Sequence, residues 1–533
     1  MSEQNTDRAT AVQTNTDAWT PGHNLWLIAL TVTIATFMEV LDTSVANVAL
    51  PHIAGGLAAS QDESSWVLTS YLVSNAIVLP LSGWLSSIFG RKRFYMTCVA
   101  LFTVSSFLCG IAPSLPLLIF FRVLQGVGGG GLQPSEQAIL ADTFPPAKRG
   151  MAFAVYAMAV VVAPALGPTI GGWITDNYSW RWIFFMNLPF GVLSVLLTSL
   201  LVSDPPWLKS KKSGGIKVDY IGFGLLALGL GALQIVLDKG EREDWFETRY
   251  IVVLTVIAVI CLIAVYFWEL RHKNPIIEVR LFADRTFLMA CFMLFIVGFV
   301  LYATTLLLPQ LAQTLMGYTA ELAGLMIMPG GFALILTLPV VGYLLSRYDA
   351  RVMIVAGLLM LAMSMFLMAH RFDLDVDFNT LMWARVYQSV SLAFLFIPIN
   401  TAAYSYLPRE KNNVASGLIN LFRNIGASVG ISFVTTMLAR RAQFHQSVLA
   451  AHANAYSSQF RGAIQGGSQL FMSAGAVAAQ QQSYGQLYGS ILRQSSMIAY
   501  LDNFWMLGIS ALAVIPFVFL MKRPPKGTAA AAH

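Results

Sequence analysis

The sequence predicts an all-α integral membrane protein of about 14 transmembrane helices, arranged as two six-helix halves plus two extra helices. Three observations predict it: a composition too apolar for water, apolar runs of spanning length from end to end, and an internal repeat. Of 533 residues, 56% are hydrophobic and 11% charged, with mean hydropathy +0.64; a soluble domain carries about 25% charged residues. The net charge of +6 does not point to nucleic acid, because the basic residues lie in short connections where they orient a chain in a bilayer. Residues 1–24 are rich in Asn, Thr, Asp and Gln and lack the pattern of a removable signal peptide, so a cytosolic tail is expected there. Cys98, Cys109, Cys261 and Cys291 all fall inside apolar runs, without metal-site spacing, and read as small packing residues.

Apolar runs place helices near 25–51, 64–87, 93–111, 115–142, 150–174 and 181–203, the first half over 25–203. The segment 204–284 holds linkers and the extra helices 219–238 and 250–270. The second half, 285–521, has runs at 286–313, 321–346, 351–369, 377–406, 413–438 and 501–521, before a tail at 522–533. Alternate connections carry Arg91-Lys92-Arg93, Lys148-Arg149, Lys209-Lys211-Lys212-Lys217, Arg271-Lys273-Arg280, Arg347-Arg351 and Arg409-Lys411, and the tail carries Lys522-Arg523. Basic connections stay inside, so both termini are expected in the cytosol. The stretch 439–500, rich in Gln, Ala and Ser, falls on the external side and reads as a disordered spacer or a docking element.

The repeat rests on patches that recur in order. Arg122-Val123-Leu124-Gln125 precedes Phe144-Pro145-Pro146-Ala147-Lys148, and Arg385-Val386-Tyr387-Gln388 precedes Leu407-Pro408-Arg409-Glu410-Lys411 at the same distance. Gly83-Trp84-Leu85 with Gly90-Arg91-Lys92 matches Gly342-Tyr343-Leu344 with Arg347 and Arg351 more loosely. Halves related in this way enclose a substrate near the bilayer midplane.

A charge at the bilayer centre costs roughly 2.5 to 3.5 kcal/mol on the insertion scale, so each one needs a partner or a purpose. Three acids, Glu39, Asp42 and Glu136, fall in spans of the first half; Arg122, Arg385 and Arg423 are divided between the halves. Glu39 and Asp42 share a helix face and can titrate as a coupled pair. Depth along their helices makes an Asp42–Arg122 ion pair reasonable, either as a static salt bridge or as a proton switch in which Arg122 moves relative to Asp42. Glu136 lies about 21 Å along the helix from Arg122 and reads as a cavity acid or a packing residue. Arg385 and Arg423 read as structural groups or as sites for anionic substrates. Gly167-Pro168 with Gly171-Gly172 provides a bend and close helix approach, as do Gly126 and Gly128 to Gly131. Phe37, Met38, Asn47, Gln310, Gln388 and Asn400 are further candidates for lining a substrate path, with Asn75, Trp66, Tyr71, Tyr156, Met158, Tyr302, Phe396 and Asn420 beside them.

Leu41-Asp42-Thr43-Ser44-Val45-Ala46-Asn47-Val48-Ala49-Leu50-Pro51, Arg122-Val123-Leu124-Gln125-Gly126, Gly167-Pro168-Thr169-Ile170-Gly171-Gly172 and Asn420-Leu421-Phe422-Arg423-Asn424-Ile425-Gly426 resemble motifs of the major facilitator superfamily. The resemblance is to its fourteen-helix drug:proton antiporters, most closely the EmrB-type multidrug exporters, and spans nearly the whole chain. Gly83 to Arg93, with Gly90 and Arg91, resembles the superfamily signature between helices two and three, but Ser87 replaces its usual acid. The resemblance implies the major facilitator fold, a bacterial inner membrane location, the proton as coupling ion with no other cofactor, and amphipathic drugs as substrates. In a Gram-negative host it also implies a periplasmic adaptor and an outer-membrane channel as partners. A dedicated exporter or importer of a metabolite or siderophore is the alternative on the same fold. Neither a nucleotide-binding loop, a metal-ligand cluster nor a nucleophile–base constellation is present in the sequence, so no enzyme is expected.

Overall fold

The computed structural model describes residues 22–205, 219–272, 275–345, 347–453 and 457–522. Lys209, Lys211, Lys212, Lys217, Lys273, Arg523 and nearly all of both expected tails lie outside those ranges. Among the described residues the chain is helical, with no strand. Thirteen helices are long and apolar enough to span a bilayer, and a bent pair makes up to 14.

The first half comprises α1 (Leu25–Gly56), α2 (Gln61–Phe89), α3 (Arg91–Gly110), α4 (Leu115–Gly129), α5 (Leu132–Thr143), α6 (Pro146–Asn177), α7 (Trp182–Phe185) and α8 (Asn187–Leu201). The single span expected over 115–142 is present as Leu115–Thr143, with its helix interrupted for two residues between α4 and α5 at a run of glycines, where helix propensity is low. That run is also a packing surface. A Cβ on Gly128 would lie 2.7 Å from the Phe102 amide, and one on Gly130 would lie 2.7 Å from the Asn75 carbonyl.

Two further spans, α9 (Tyr220–Lys239) and α10 (Arg249–Arg271), pack on each other. α10 leaves Val252, Val253, Val256, Val259, Ile260 and Ile263 exposed, an apolar face suited to lipid. The second half comprises α11 (Arg285–Thr314), α12 (Ala320–Leu345), α13 (Ala350–Arg371), α14 (Phe378–Tyr404), α15 (Asn412–His452), α16 (Ser458–Leu470), α17 (Ala476–Ala513) and α18 (Ile515–Val518).

Residues 439–500 differ from the spacer that the sequence allowed. α15 runs on to His452, α16 follows, and α17 begins at Ala476. Ala and Gln are strong helix formers, and hydropathy reports contact with lipid, not helicity.

Across the interface α12 packs on α6, α15 on α2 and α5, and α14 on α6. The bundle has a Gly90 end, where α2 passes to α3, and a Ser60 end, where α1 passes to α2.

Candidate functional site: buried charges beside a polar seam

α1 carries Asp42 into a fully enclosed pocket among α4 and α8. Arg122 Nη1 donates to Asp42 Oδ2 at 2.6 Å; Gln125 Nε2 and Asn187 Nδ2 donate to Oδ1 at 3.0 and 2.6 Å. Arg122 also donates through Nε to the Val67 carbonyl at 3.0 Å and through Nη1 to Gln125 Oε1 at 2.8 Å. Its guanidinium lies 4.4 Å from the centre of the Tyr71 ring, a cation–π contact. Both members of the ion pair are buried, so the surrounding hydrogen bonds are what make the pair tenable.

One turn earlier, Glu39 meets a different environment. Asn75 Nδ2 and the Tyr71 hydroxyl donate to Glu39 Oε1 at 3.1 and 3.4 Å, while Oε2 has no hydrogen-bond partner. Tyr71 thus touches both sites, with its ring on Arg122 and its hydroxyl toward Glu39. Glu136, fully buried on α5, turns to α1 and accepts from the Thr33 hydroxyl at 2.6 Å.

Gln133 and Gln137, one turn apart on α5, face the second half. Arg423 of α15 donates to Gln133 and to the Tyr156 hydroxyl of α6. Asn420 donates to Gln137 Oε1 at 2.9 Å, and the Tyr404 hydroxyl donates to the same oxygen at 3.3 Å. Nearer the Gly90 end, Arg91 Nη2 donates to Asp142 Oδ2 at 2.6 Å and Asn412 Nδ2 to Asp142 Oδ1 at 2.6 Å. Gly83 fits against the opposite half, where a Cβ would lie 2.6 Å from Val414 Cα. These contacts form a polar seam that closes the halves together at that end.

Arg385 donates to Gln388 Oε1 at 2.7 Å and to Thr305 Oγ1 at 3.2 Å, while Gln388 donates to Thr304. Asn400 is buried and bonds the Phe396 carbonyl of its own helix. Met38 is buried, Phe37 half-buried and Asn47 exposed. Gln310 lines a groove of about 360 Å³ between α11, α15 and α17 with Thr314, Arg493 and Tyr500, away from the seam.

Gly167, Pro168 and Gly171 bring α6 onto α1. Pro168 has no N–H to offer the carbonyl one turn back, Pro164 O, and Ser44 Oγ supplies that hydrogen bond at 3.1 Å. A Cβ on Gly167 would lie 2.0 Å from Ser44 Oγ, so only glycine permits the approach. α6 bends by 42° between Pro164 and Leu166.

The family model described as the Major Facilitator Superfamily matches residues 32–431. The chain belongs to the major facilitator superfamily. Over 503 residues, 94% of this chain and 96% of the relative, it is 37% identical to the multidrug export protein EmrB of Escherichia coli strain K12. Over 508 residues, 94% of this chain and 97% of the relative, it is 37% identical to the fatty acid resistance protein FarB of Neisseria gonorrhoeae. The solved proton:xylose symporter XylE, 15% identical, superposes with a TM-score of 0.60 over 93% of this chain and 95% of that one. As a superfamily member the chain is a multi-pass membrane transporter.

Sequence reasoning missed Gln125, Asn187, Gln133, Gln137 and Asp142 as site residues. The first four are neutral amides that an apolar run absorbs without a signal. Asp142 sits at a helix end, where an acid needs no special explanation. For Gln125 a signal was present, since Arg-x-x-Gln recurs at Arg385 and Gln388.

Proposed function

We propose that the chain is a proton-coupled antiporter exporting amphipathic toxic compounds across the bacterial inner membrane. The observation that carries this reading is the pair of carboxyls, Glu39 and Asp42, buried one turn apart on a spanning helix, with Arg122 bound to one of them. Ionisable groups are retained at such depth where a charge must be taken up and released. The names of the relatives EmrB and FarB support export of toxic amphipaths. One charge falling through 100 mV releases about 2.3 kcal/mol, enough to drive a concentration ratio of roughly 40-fold.

In this reading the Gly90 end, rich in Lys and Arg, lies in the cytosol with both termini. The substrate occupies the space between the halves, bordered by the Gln133–Arg423–Tyr156 group. The α15–α16–α17 hairpin projects outside, where Phe444, Leu470, Met472, Val477 and Tyr488 are exposed and offer a surface to a periplasmic adaptor and its outer-membrane channel. The test is substrate uptake into everted vesicles: collapse of both the pH difference and the membrane potential with nigericin plus valinomycin is expected to stop it, and undiminished flux would sink the proposal.

A second reading, a dedicated exporter of one amphipathic metabolite, is favoured by FarB together with Arg385, a buried cation with no acidic partner among the described residues. Competition among structurally unrelated toxic amphipaths separates the two readings.

A further inference from the structure

Asp42 and Glu39 lie on the same helix and have been furnished for different work. Three donors converge on Asp42, one of them the permanently charged Arg122. A proton on Asp42 would set an O–H against one of those donors and leave Arg122, fully buried, without a counter-charge. Glu39 meets neutral groups: Tyr71 and Asn75 both donate to the same oxygen, and the Gln133 amide lies beside the carboxyl. Its other oxygen is buried and makes no hydrogen bond. A carboxylic acid fits that site as it stands, with the O–H at Oε2 and both accepted bonds kept at Oε1.

The groups that face Glu39 come from every element around it. They are Tyr71 and Asn75 from α2, Tyr95 and Cys98 from α3, Gln133 from α5, Tyr302 from α11 and Arg423 from α15, with Asp42 one turn further along α1; a second buried acid, Glu136 of α5, shares Tyr95 and Arg423 with Glu39. Arg122 is already neutralised by Asp42, which leaves Arg423 as the cation that can answer a charge on Glu39. Arg423 belongs to the opposite half and reaches across the seam to Gln133 and Tyr156. An ionised Glu39 therefore attracts the second half through Arg423, and a protonated one does not.

We propose that Glu39 is the exchangeable proton site, that its ionised form holds the seam shut through Arg423, and that Asp42 stays ionised throughout as a positioning residue locked to Arg122. The proposal rests on the antiport reading and deepens it. Proton uptake at Glu39 releases the seam so that the Gly90 end opens. Loading of substrate there expels the proton, Arg423 returns, and the seam closes behind the substrate.

The experiment needs no identified substrate. Full-length protein in liposomes is treated with dicyclohexylcarbodiimide, which adds to protonated carboxyls in apolar surroundings, and the modified peptide is located by mass spectrometry between pH 5 and 8. Label on Glu39 that declines as pH rises, with Asp42 unlabelled, is expected. Label on Asp42 with none on Glu39 overturns the proposal. A second measurement uses Ser416→Cys on α15, a buried position, as a reporter of seam opening. At pH 8 its reaction with a soluble maleimide is expected to be at least tenfold faster when Glu39→Gln is added, because glutamine imitates the protonated acid. Equal rates with and without Glu39→Gln overturn the coupling to the seam. Transport that ignores nigericin plus valinomycin would instead overturn the antiport reading, so the two failures are distinguishable.

Discussion

Thr305 stands to Arg385 as Asp42 stands to Arg122. Each accepts a guanidinium hydrogen bond from an arginine 80 residues further along the chain, and each arginine also holds a glutamine three residues beyond itself. The halves share one cradle and differ in its charge. In the first half the cradle holds an ion pair; in the second a buried cation is met by one hydroxyl and an amide. Among the described residues only the first-half cradle contains a carboxyl, although both are built to hold an arginine.

That equivalence predicts opposite responses to exchanging the two residues. Asp42→Thr leaves Arg122 buried without a counter-charge and is expected to cost about 3–5 kcal/mol. Thr305→Asp gives Arg385 a partner within reach and is expected to raise the unfolding temperature in detergent. A Thr305→Asp protein that melts below its parent would show that the two cradles are not equivalent.

The glycines separate stability from transport. A Cβ on Gly126 would meet Ser74 Oγ at 2.0 Å and the Tyr71 carbonyl at 2.4 Å, all within the first half. Gly126→Ala therefore wedges α4 from α2, shifts Tyr71 off Arg122, and is expected to lower stability by about 1–3 kcal/mol. Gly83→Ala strikes the backbone of Val414 and Asn413 in the opposite half. The halves can relieve that clash by parting. We expect a melting temperature close to the parent's, with export reduced and the Ser416→Cys reporter more reactive. Loss of stability equal to that of Gly126→Ala would contradict the distinction.

How much of this was legible in the sequence depends on what each residue cost to place. Asp42, Glu39 and Arg122 declare themselves because a charge in an apolar run is expensive, and the division into halves follows from the repeat. Asn187 and Gln137 are silent: a neutral amide is cheap enough to occur anywhere, and only the fold shows which helix it meets. Gln310 has the same composition signal as Gln388, yet faces a peripheral groove, because a one-dimensional pattern does not say which neighbour covers a helix face. The stretch 439–500 was ambiguous for a different reason, since its polar helices leave the register that hydropathy detects.

Outside the spans, one pH effect has a definite sign. Asp284 caps α11 by accepting from the Thr286 and Phe287 amides at 2.9 and 3.1 Å, and Lys522 donates to its other oxygen. Burial pushes its carboxyl up, but Lys522 and the two amides outweigh burial and hold it below the ordinary carboxylate value. A depressed carboxyl contributes stability above its unfolded value and loses it as pH falls through the folded one. Asp284→Ala is therefore expected to cost about 1 kcal/mol at pH 7, and the difference from the parent should shrink as pH falls below about 4. Melting curves at pH 7 and at the lowest pH the parent survives check it; a constant difference would remove the ionised cap as the cause.

The extra helices impose a condition on how the halves move. α9 lies against α2, with Gly231 beside Val73 and Ile77, Asp238 accepting from Thr69, and Lys239 donating to Ser65. It also reaches α15, where Ser428 donates to Gln234 at 3.0 Å, and the turn after it donates from Trp245 to Thr436 at 3.1 Å. α2 and α15 belong to opposite halves, so rocking of one half against the other must slide α9 over one of them. Its charged contacts are all with α2, and in an apolar medium these are the costlier to break. α9 should therefore travel with the first half while α15 moves past it. A disulfide between Val73→Cys and Gly231→Cys is then expected to leave export intact, and one between Gln234→Cys and Ser428→Cys to reduce it at least tenfold until a reductant is added. The four native cysteines are buried, which favours pairing between the introduced thiols. Full export by the second cross-linked protein would mean that α9 rides with the second half, and that the contacts to Thr69 and Ser65 are the ones that give way.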